Sequence, residues 1–211
     1  RTPLAVVRSG LESVEKCSNE EERNYFLHLM SEETVHMKRL IDDMLLLANS
    51  DADTLTIKPE ACQPDLLLLD TYEKFEPLAK KNGLHLILAL PEEILPDCFC
   101  DIHRTEQIFS IIVDNALCYT PSGGKVTLSC HAENEMLCFL FEDTGCGISE
   151  EKKSHIFERF YRADDAHTDR EHFGLGLCIA KELTEKQNGN IQVVDAPISG
   201  SCFMVQLPCA L

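Results

Sequence analysis

Apolar residues fall on a helical period through the first fifty positions. Leu4, Val7, Leu11 and Val14 step by three and four, while Met30, Met37 and Met44 step by seven, with Leu40 and Leu47 three residues after the last two. These are seams of the coiled-coil kind and predict two helices. Ser18-Asn19-Glu20-Glu21 reads as a capping box that starts the second helix, and Asn49-Ser50-Asp51-Ala52-Asp53 ends it. Two helices of this length cannot bury both seams between themselves. Such a hairpin is expected to pair with a second copy and form a four-helix bundle.

From Leu55 the texture changes. Leu55-Thr56-Ile57 alternates as a short strand, and residues 64–81 read as a helix opened by Pro64 and stopped by Asn82-Gly83. Leu84 to Leu90 predicts a strand ended by Pro91, and Asp101 to Leu117 is apolar on a helical period through Ile108, Ile111, Ile112 and Ala116. After the turn Pro121-Ser122-Gly123-Gly124, the segments Lys125–Cys130 and Met136–Phe141 pair as an antiparallel hairpin. Residues 149–172 are polar, with little periodicity beyond Ile156 to Tyr161. Leu175–Gln187 predicts a last helix, and Ile191–Val194 with Cys202–Leu207 predict the closing strands. Mixed strands with helices on one side make an α+β domain, a two-layer sandwich, behind the helical hairpin.

The chain has 211 residues and a formal charge of −17, so it repels phosphate backbones; nucleic acid and anionic membranes are poor partners for it. With 44% apolar residues it can bury a core, yet no apolar run approaches the roughly 18 residues that a membrane span needs. No transmembrane span and no secretory signal is expected in it. Eleven cysteines are scattered along the chain, most inside apolar stretches such as Leu137-Cys138-Phe139, which reads as small buried hydrophobes in a reducing compartment. Only Cys98 and Cys100 are close, and no second pair completes a zinc spacing.

Three short motifs could carry chemistry. Gly174-Leu175-Gly176-Leu177 opens a helix, where exposed N–H groups and the helix dipole favour an anion, although glycine there also serves plain loop geometry. Asp143-Thr144-Gly145-Cys146-Gly147-Ile148 follows an apolar strand; such an aspartate can accept a hydrogen bond from a flat ligand while the glycines keep the backbone clear, or it can simply build a turn. Asp-Thr-Gly is also an aspartic-protease signature, but that chemistry needs two carboxylates sharing a proton and the chain has one copy. Asp114-Asn115 lies among apolar neighbours on its helix, and an Asn oxygen there is either a hard ligand suited to Mg²⁺ or a satisfied structural group.

The order of these motifs resembles the cytoplasmic core of a two-component sensor histidine kinase over nearly every residue. Arg1-Thr2-Pro3-Leu4 resembles the end of the H box. Asp114-Asn115-Ala116 with Tyr119-Thr120-Pro121 resembles the N box, and Asp143 to Ile148 the G1 box. Ile156-Phe157-Glu158-Arg159-Phe160-Tyr161-Arg162 resembles the F box, Gly174 to Leu177 the G2 box, and Gly200-Ser201 with Phe203 a G3-like ending. The resemblance implies a dimerisation and phosphotransfer hairpin over residues 1–52 and a Bergerat-type ATP-binding domain over 55–211. It implies ATP and Mg²⁺ as ligands, a homodimer, and a response-regulator receiver domain as partner. Asn115 would ligate Mg²⁺, Asp143 would receive the adenine amino group, and Gly145 and Gly147 would admit the ring. Tyr119 would line the same site, Gly174, Leu175, Gly176 and Leu177 would hold phosphates, and Tyr161 and Arg162 would approach from a lid, residues 149–172. The same resemblance makes Thr2 the residue that orients water for dephosphorylating the partner aspartate. It places the phosphoacceptor histidine three residues before Arg1, with a sensor and any membrane anchor further upstream and this core in the cytoplasm.

Three residues depart from the family pattern. Ile111 stands for a first asparagine, Cys118 for a lysine before the tyrosine, and His172 for the first glycine of the G2 box. Losing a charge–phosphate hydrogen bond costs roughly 1.5–3 kcal/mol, about one to two powers of ten in affinity. Weakened nucleotide binding is expected; the alternative is a non-catalytic module that dimerises and docks a regulator.

Overall fold

In a computed structural model, the structure describes residues 2–17, 19–162, 173–197 and 199–210, with the side chains of Thr2 and Pro3 outside the description. Ser18 and the last part of the expected lid, residues 163–172 with His172, lie outside it as well. The described residues divide into a helical unit, up to Thr54 together with Phe173, and a sheet-bearing unit that takes the rest.

The helical unit is α1 (Thr2–Lys16) and α2 (Glu20–Asp51), antiparallel neighbours. The helix start of α2 falls one residue later than the capping-box spacing predicts. Asn19 is the N-cap, its side-chain oxygen accepting the Glu21 N–H at 2.9 Å, and Glu20, Glu21 and Glu22 complement the helix dipole behind it. At the other end Asp53 turns the chain out of the helix at φ +53°. The single seam predicted for each helix splits into two stripes. Met30 and Leu47 are buried, whereas Leu4, Leu11, Ile41, Met44 and Leu45 are each more than half exposed. The first stripe is what one hairpin can cover by itself, and the second is left over.

The second unit contains β1 (Glu60–Cys62), α3 (Pro64–Lys81), β2 (His85–Ala89), β3 (Cys98–Cys100), α4 (Ile102–Tyr119), β4 (Lys125–Glu133), β5 (Met136–Asp143), α5 (Glu150–Lys153), α6 (Gly176–Glu185), β6 (Asn190–Asp195) and β7 (Ser201–Pro208). The main sheet runs β2-β4-β5-β7-β6, parallel only between β2 and β4, and β1 pairs with β3 in a separate two-stranded ladder. Helices α3, α4 and α6 pack together along the sheet, giving the expected α+β two-layer sandwich. Phe109 on α4 sits over Phe139 and Phe141 of β5, ring centroids 4.8 and 5.0 Å apart, and all three are fully buried. This layer fixes α4 relative to the end of β5, where the candidate chemistry lies.

The expected strand at Leu55-Thr56-Ile57 is absent; strand structure begins only at Glu60. The backbone N–H of Lys58 is taken by Asp101, whose Oδ2 accepts it at 2.9 Å, so a side chain rather than a neighbouring strand satisfies this stretch. Asp101 is also the N-cap of α4, its Oδ1 accepting the Arg104 N–H at 3.1 Å, and its own N–H donates to Gln187 Oε1 at 2.7 Å. Asp101→Ala removes the cap and frees Lys58, and should cost about 1.5 kcal/mol, read as a lower urea midpoint with unchanged slope.

Candidate functional site

Strand β5 carries an apolar run into the core and ends on Asp143, a carboxylate only 4% exposed. Burial at that depth needs compensation. Two backbone donors supply it, Gly145 N–H at 2.8 Å and Ser201 N–H at 3.3 Å, both to Oδ1. Oδ2 is left to accept from elsewhere. The clamp closes because Gly200, at φ +90°, passes directly against the Asp143 backbone; a Cβ there would overlap the Asp143 carbonyl oxygen and come within 2.6 Å of Oδ1. Cys202 follows on β7, its thiol pushed up to about 11 by burial and by the Glu142 and Asp143 carboxylates, so it stands beside the site as a neutral group.

Helix α4 ties this clamp to the second half of the site. Ile111, Asn115 and Tyr119 are spaced by four and share one helix face. Tyr119 ends α4 with its carbonyl oxygen 2.5 Å from where a Gly145 Cβ would stand. Two turns earlier, Ile111 Cγ2 lies 3.2 Å from the corresponding position on Gly176, at the start of α6. Asn115 lies between them, half-buried. At 1.5 Å per residue the face from Ile111 to Tyr119 is about 12 Å long.

The start of α6 has no side-chain cap, so its first-turn N–H groups have no side-chain acceptor of their own. Gly174 precedes it at φ +72° and accepts the Phe160 N–H at 2.9 Å through its carbonyl oxygen. A side chain on Gly174 would meet the Tyr161 carbonyl oxygen at 2.7 Å, so the F-box segment lies directly on the glycine turn. Arg159 reaches Glu182 on α6 at 3.9 Å, a second tie between these segments.

Along the α4 face, one group of contacts joins Tyr119, Gly145 and Asp143, a second joins Ile111 to Gly176 and Gly174 to Tyr161, and Asn115 lies on the helix face between them. Gly147, at φ +73°, adjoins the first group through Gly200. Leu175 is 1% exposed, so its side chain belongs to the core and only its backbone can face a ligand; Leu177 is half-buried and Arg162 exposed. Cys118 is exposed on α4, and Thr2 lies in the first turn of α1, in the other unit. The role of Ser201 as the second donor to Asp143 was not read from the sequence. Its one signal was the Gly200-Ser201 pair immediately before a strand.

Residues 1–53 match the His Kinase A (phospho-acceptor) domain, and residues 100–211 match the histidine kinase-, DNA gyrase B-, and HSP90-like ATPase family. The chain belongs to the sensor histidine kinases of two-component systems. It is 31% identical over 99% of its length to the adaptive-response sensory kinase SasA of Rippkaea orientalis, and spans 55% of that relative. Full-length ShkA, solved in complex with AMPPNP, matches all of this chain and 44% of its own with a TM-score of 0.80 at 28% identity. The histidine kinase ThkA, solved with the response regulator TrrA, matches 99% of this chain and 58% of its own with a TM-score of 0.76 at 18% identity, a likeness of fold.

Proposed function

We propose that this chain is the ATP-consuming core of a protein-histidine kinase: it binds Mg-ATP, directs the γ-phosphoryl group to a histidine upstream of Arg1, and serves as donor to a receiver-domain aspartate. The observation that carries this reading is the single α4 face that runs from the buried Asp143 clamp to the uncapped start of α6. Asp143 Oδ2 accepts the adenine amine while Gly145 and Gly147 leave room for the ring. Backbone N–H groups of Gly176 and Leu177 take phosphate oxygens at the positive end of α6. Asn115 offers a hard, half-exposed oxygen midway along the face, which fits Mg²⁺. When bound, the ion neutralises phosphate charge; the chain's own part is to position and desolvate. Tyr161 and Arg162 close on the nucleotide from the F-box side, and Thr2 orients the water that hydrolyses the partner's phosphoaspartate, releasing inorganic phosphate. AMPPNP in the ShkA structure supports the nucleotide assignment.

The uncovered stripe on the hairpin, Leu4, Leu11, Ile41, Met44 and Leu45, is the homodimer seam of a four-helix bundle, and the ThkA–TrrA complex supports a receiver domain as the docking partner. The core works in the cytoplasm, attached to a membrane-anchored sensor. Ile111 presents a methyl to Gly176 where the family has an asparagine, and Cys118 lacks the positive charge of the family's lysine, so nucleotide is held weakly. The test extends the chain upstream through the phosphoacceptor and incubates it with labelled ATP. Acid-labile label that is lost in Asn115→Ala is expected. Absence of Mg-ATP binding at millimolar concentration, with no label formed, replaces the reading by a nucleotide-independent docking module.

A further inference from the structure

The two-stranded ladder holds a second cluster that the nucleotide reading does not use. β1 and β3 run antiparallel with Cys62 opposite Cys98 and Glu60 opposite Cys100. Residues two apart on a strand share a face, so Cys98 and Cys100 point the same way, and both are 0% exposed. Cys62 joins them from the opposing strand. The three Sγ atoms all lie within 4.8 Å of one another, and those of Cys62 and Cys100 are 3.5 Å apart.

That spacing matches one ion better than one disulfide. Two sulfurs bound tetrahedrally at about 2.3 Å from a zinc ion stand ~3.8 Å apart. The Cys62–Cys100 separation lies close to this value and no pair is more than 4.8 Å apart, so small side-chain adjustments bring all three to a common centre. A disulfide would use two of the three and leave the other with no role. The side-chain donors are uniform, three soft sulfurs with no carboxylate in the set, which selects against Mg²⁺ and Ca²⁺; the Cys98 carbonyl oxygen also lies 3.6 Å from Cys62 Sγ and accepts from that thiol. Two ligands are sealed in the core while Cys62 is half-exposed, giving an entry path from one side. The other such ligand group among the described residues, His131, Glu133 and Cys138, has two exposed members and mixed donors.

We propose that Cys62, Cys98 and Cys100 form a thiolate site for a thiophilic closed-shell metal ion, Zn²⁺ or Cu⁺. Each ligating thiol releases its proton to solvent on binding. Three thiolates complete the coordination of Cu⁺ and leave Zn²⁺ one open position for water. The site lies immediately before Asp101, the N-cap of α4, so the ion staples β1 to β3 at the origin of the helix that carries Asn115.

The test uses the 211-residue chain, reduced and free of oxygen. It is titrated with Zn²⁺ alone and, separately, with Cu⁺ alone, each against a chromophoric chelator. One equivalent bound is expected, with a rise in melting temperature that follows occupancy. Cys62→Ser should lower affinity by tenfold or more and abolish the rise, because it removes a direct ligand at the half-exposed edge where folding is least disturbed. Cys17→Ser, in the helical unit, should bind like wild type. The ion bound more tightly of the two is the one that the three sulfurs prefer. Equal affinities for Cys62→Ser and Cys17→Ser overturn the proposal. So does a chain that binds neither ion, or one purified without reductant that carries a mapped Cys62–Cys100 disulfide and no metal. None of these readouts involves ATP, so failure here leaves the nucleotide site standing, and failure there leaves this one.

Discussion

Asp143→Asn will bind Mg-ATP at least a hundredfold more weakly than wild type while folding normally. The asymmetry of the clamp is the reason. Oδ1 accepts from Gly145 N–H at 2.8 Å and from Ser201 N–H at 3.3 Å. In the asparagine variant the amide oxygen must keep that position, because the opposite flip would face an NH₂ group with two backbone donors. The NH₂ group then occupies the place of Oδ2 and meets the adenine amine as donor against donor. Losing a charge-assisted hydrogen bond and leaving a buried donor unmet costs roughly 3 kcal/mol or more, above a hundredfold in Kd. The fold keeps both backbone bonds, so stability should change by about 1 kcal/mol or less. The same NH₂ group suits a carbonyl, so GTP affinity should not fall with that of ATP, and selectivity between them should shrink. Calorimetric titration with each nucleotide reads both effects. ATP affinity within about threefold of wild type would remove Asp143 from the purine site and take the proposed pocket with it.

How far the sequence could be read depended on the length of each pattern. Ile108, Ile111, Ile112 and Ala116 span more than two helical turns, and α4 follows from them. The hairpin of β4 and β5 was legible for the same reason, since a turn with two glycines separates it from α4 and both strands are long. Three-residue strands carry no measurable period, so β1 and β3 were missed, and with them the meeting of Cys62 with Cys98 and Cys100. Leu55-Thr56-Ile57 shows the converse: it alternates but finds no partner strand, because Asp101 caps the chain just beyond it. In the helical hairpin the seven-residue steps were real, yet a linear pattern cannot say which apolar positions a chain covers itself. Met30 is buried and Met44 exposed, though the spacing treats them alike.

The motifs of the site were legible as letters, and their joints were not. Asp143 and Ser201 are 58 positions apart, and it is the register of β5 against β7, Glu142 opposite Cys202, that brings Gly200-Ser201 onto the carboxylate. Ile111 reads as a missing polar ligand in the sequence. In the structure it is also the surface against which Gly176 seats the start of α6. One position thus serves packing and, in the proposed site, would leave ligation to Asn115, which is how a departure from the family pattern can weaken a site without dismantling it.

Gly200→Ala should be the most destabilising small substitution in the sheet domain, and Gly123→Ala supplies the reference that shows why. Both glycines have positive φ, +90° at Gly200 and +84° at Gly123. An alanine carries the backbone strain at either place, of order 1–3 kcal/mol. At Gly123 a Cβ meets nothing within 4 Å, so strain is the whole effect. At Gly200 the Cβ would overlap the Asp143 carbonyl oxygen, a backbone atom held in the β5 ladder that cannot swing aside as a flexible side chain would. Overpacking of that kind adds another 1–3 kcal/mol, for a total of about 4 kcal/mol. For a domain of this size that lowers the melting temperature by roughly 8–16 °C, against about half as much for Gly123→Ala. Relief of the overlap requires Gly200-Ser201 to withdraw from Asp143, which lengthens the Ser201 N–H bond and leaves the carboxylate with one backbone donor. Nucleotide affinity should therefore fall in Gly200→Ala even at temperatures where the variant is fully folded, and stay at the wild-type value in Gly123→Ala. Equal melting temperatures for the two variants would mean that the strand edge yields without cost, and that the clamp on Asp143 is not held by close backbone approach.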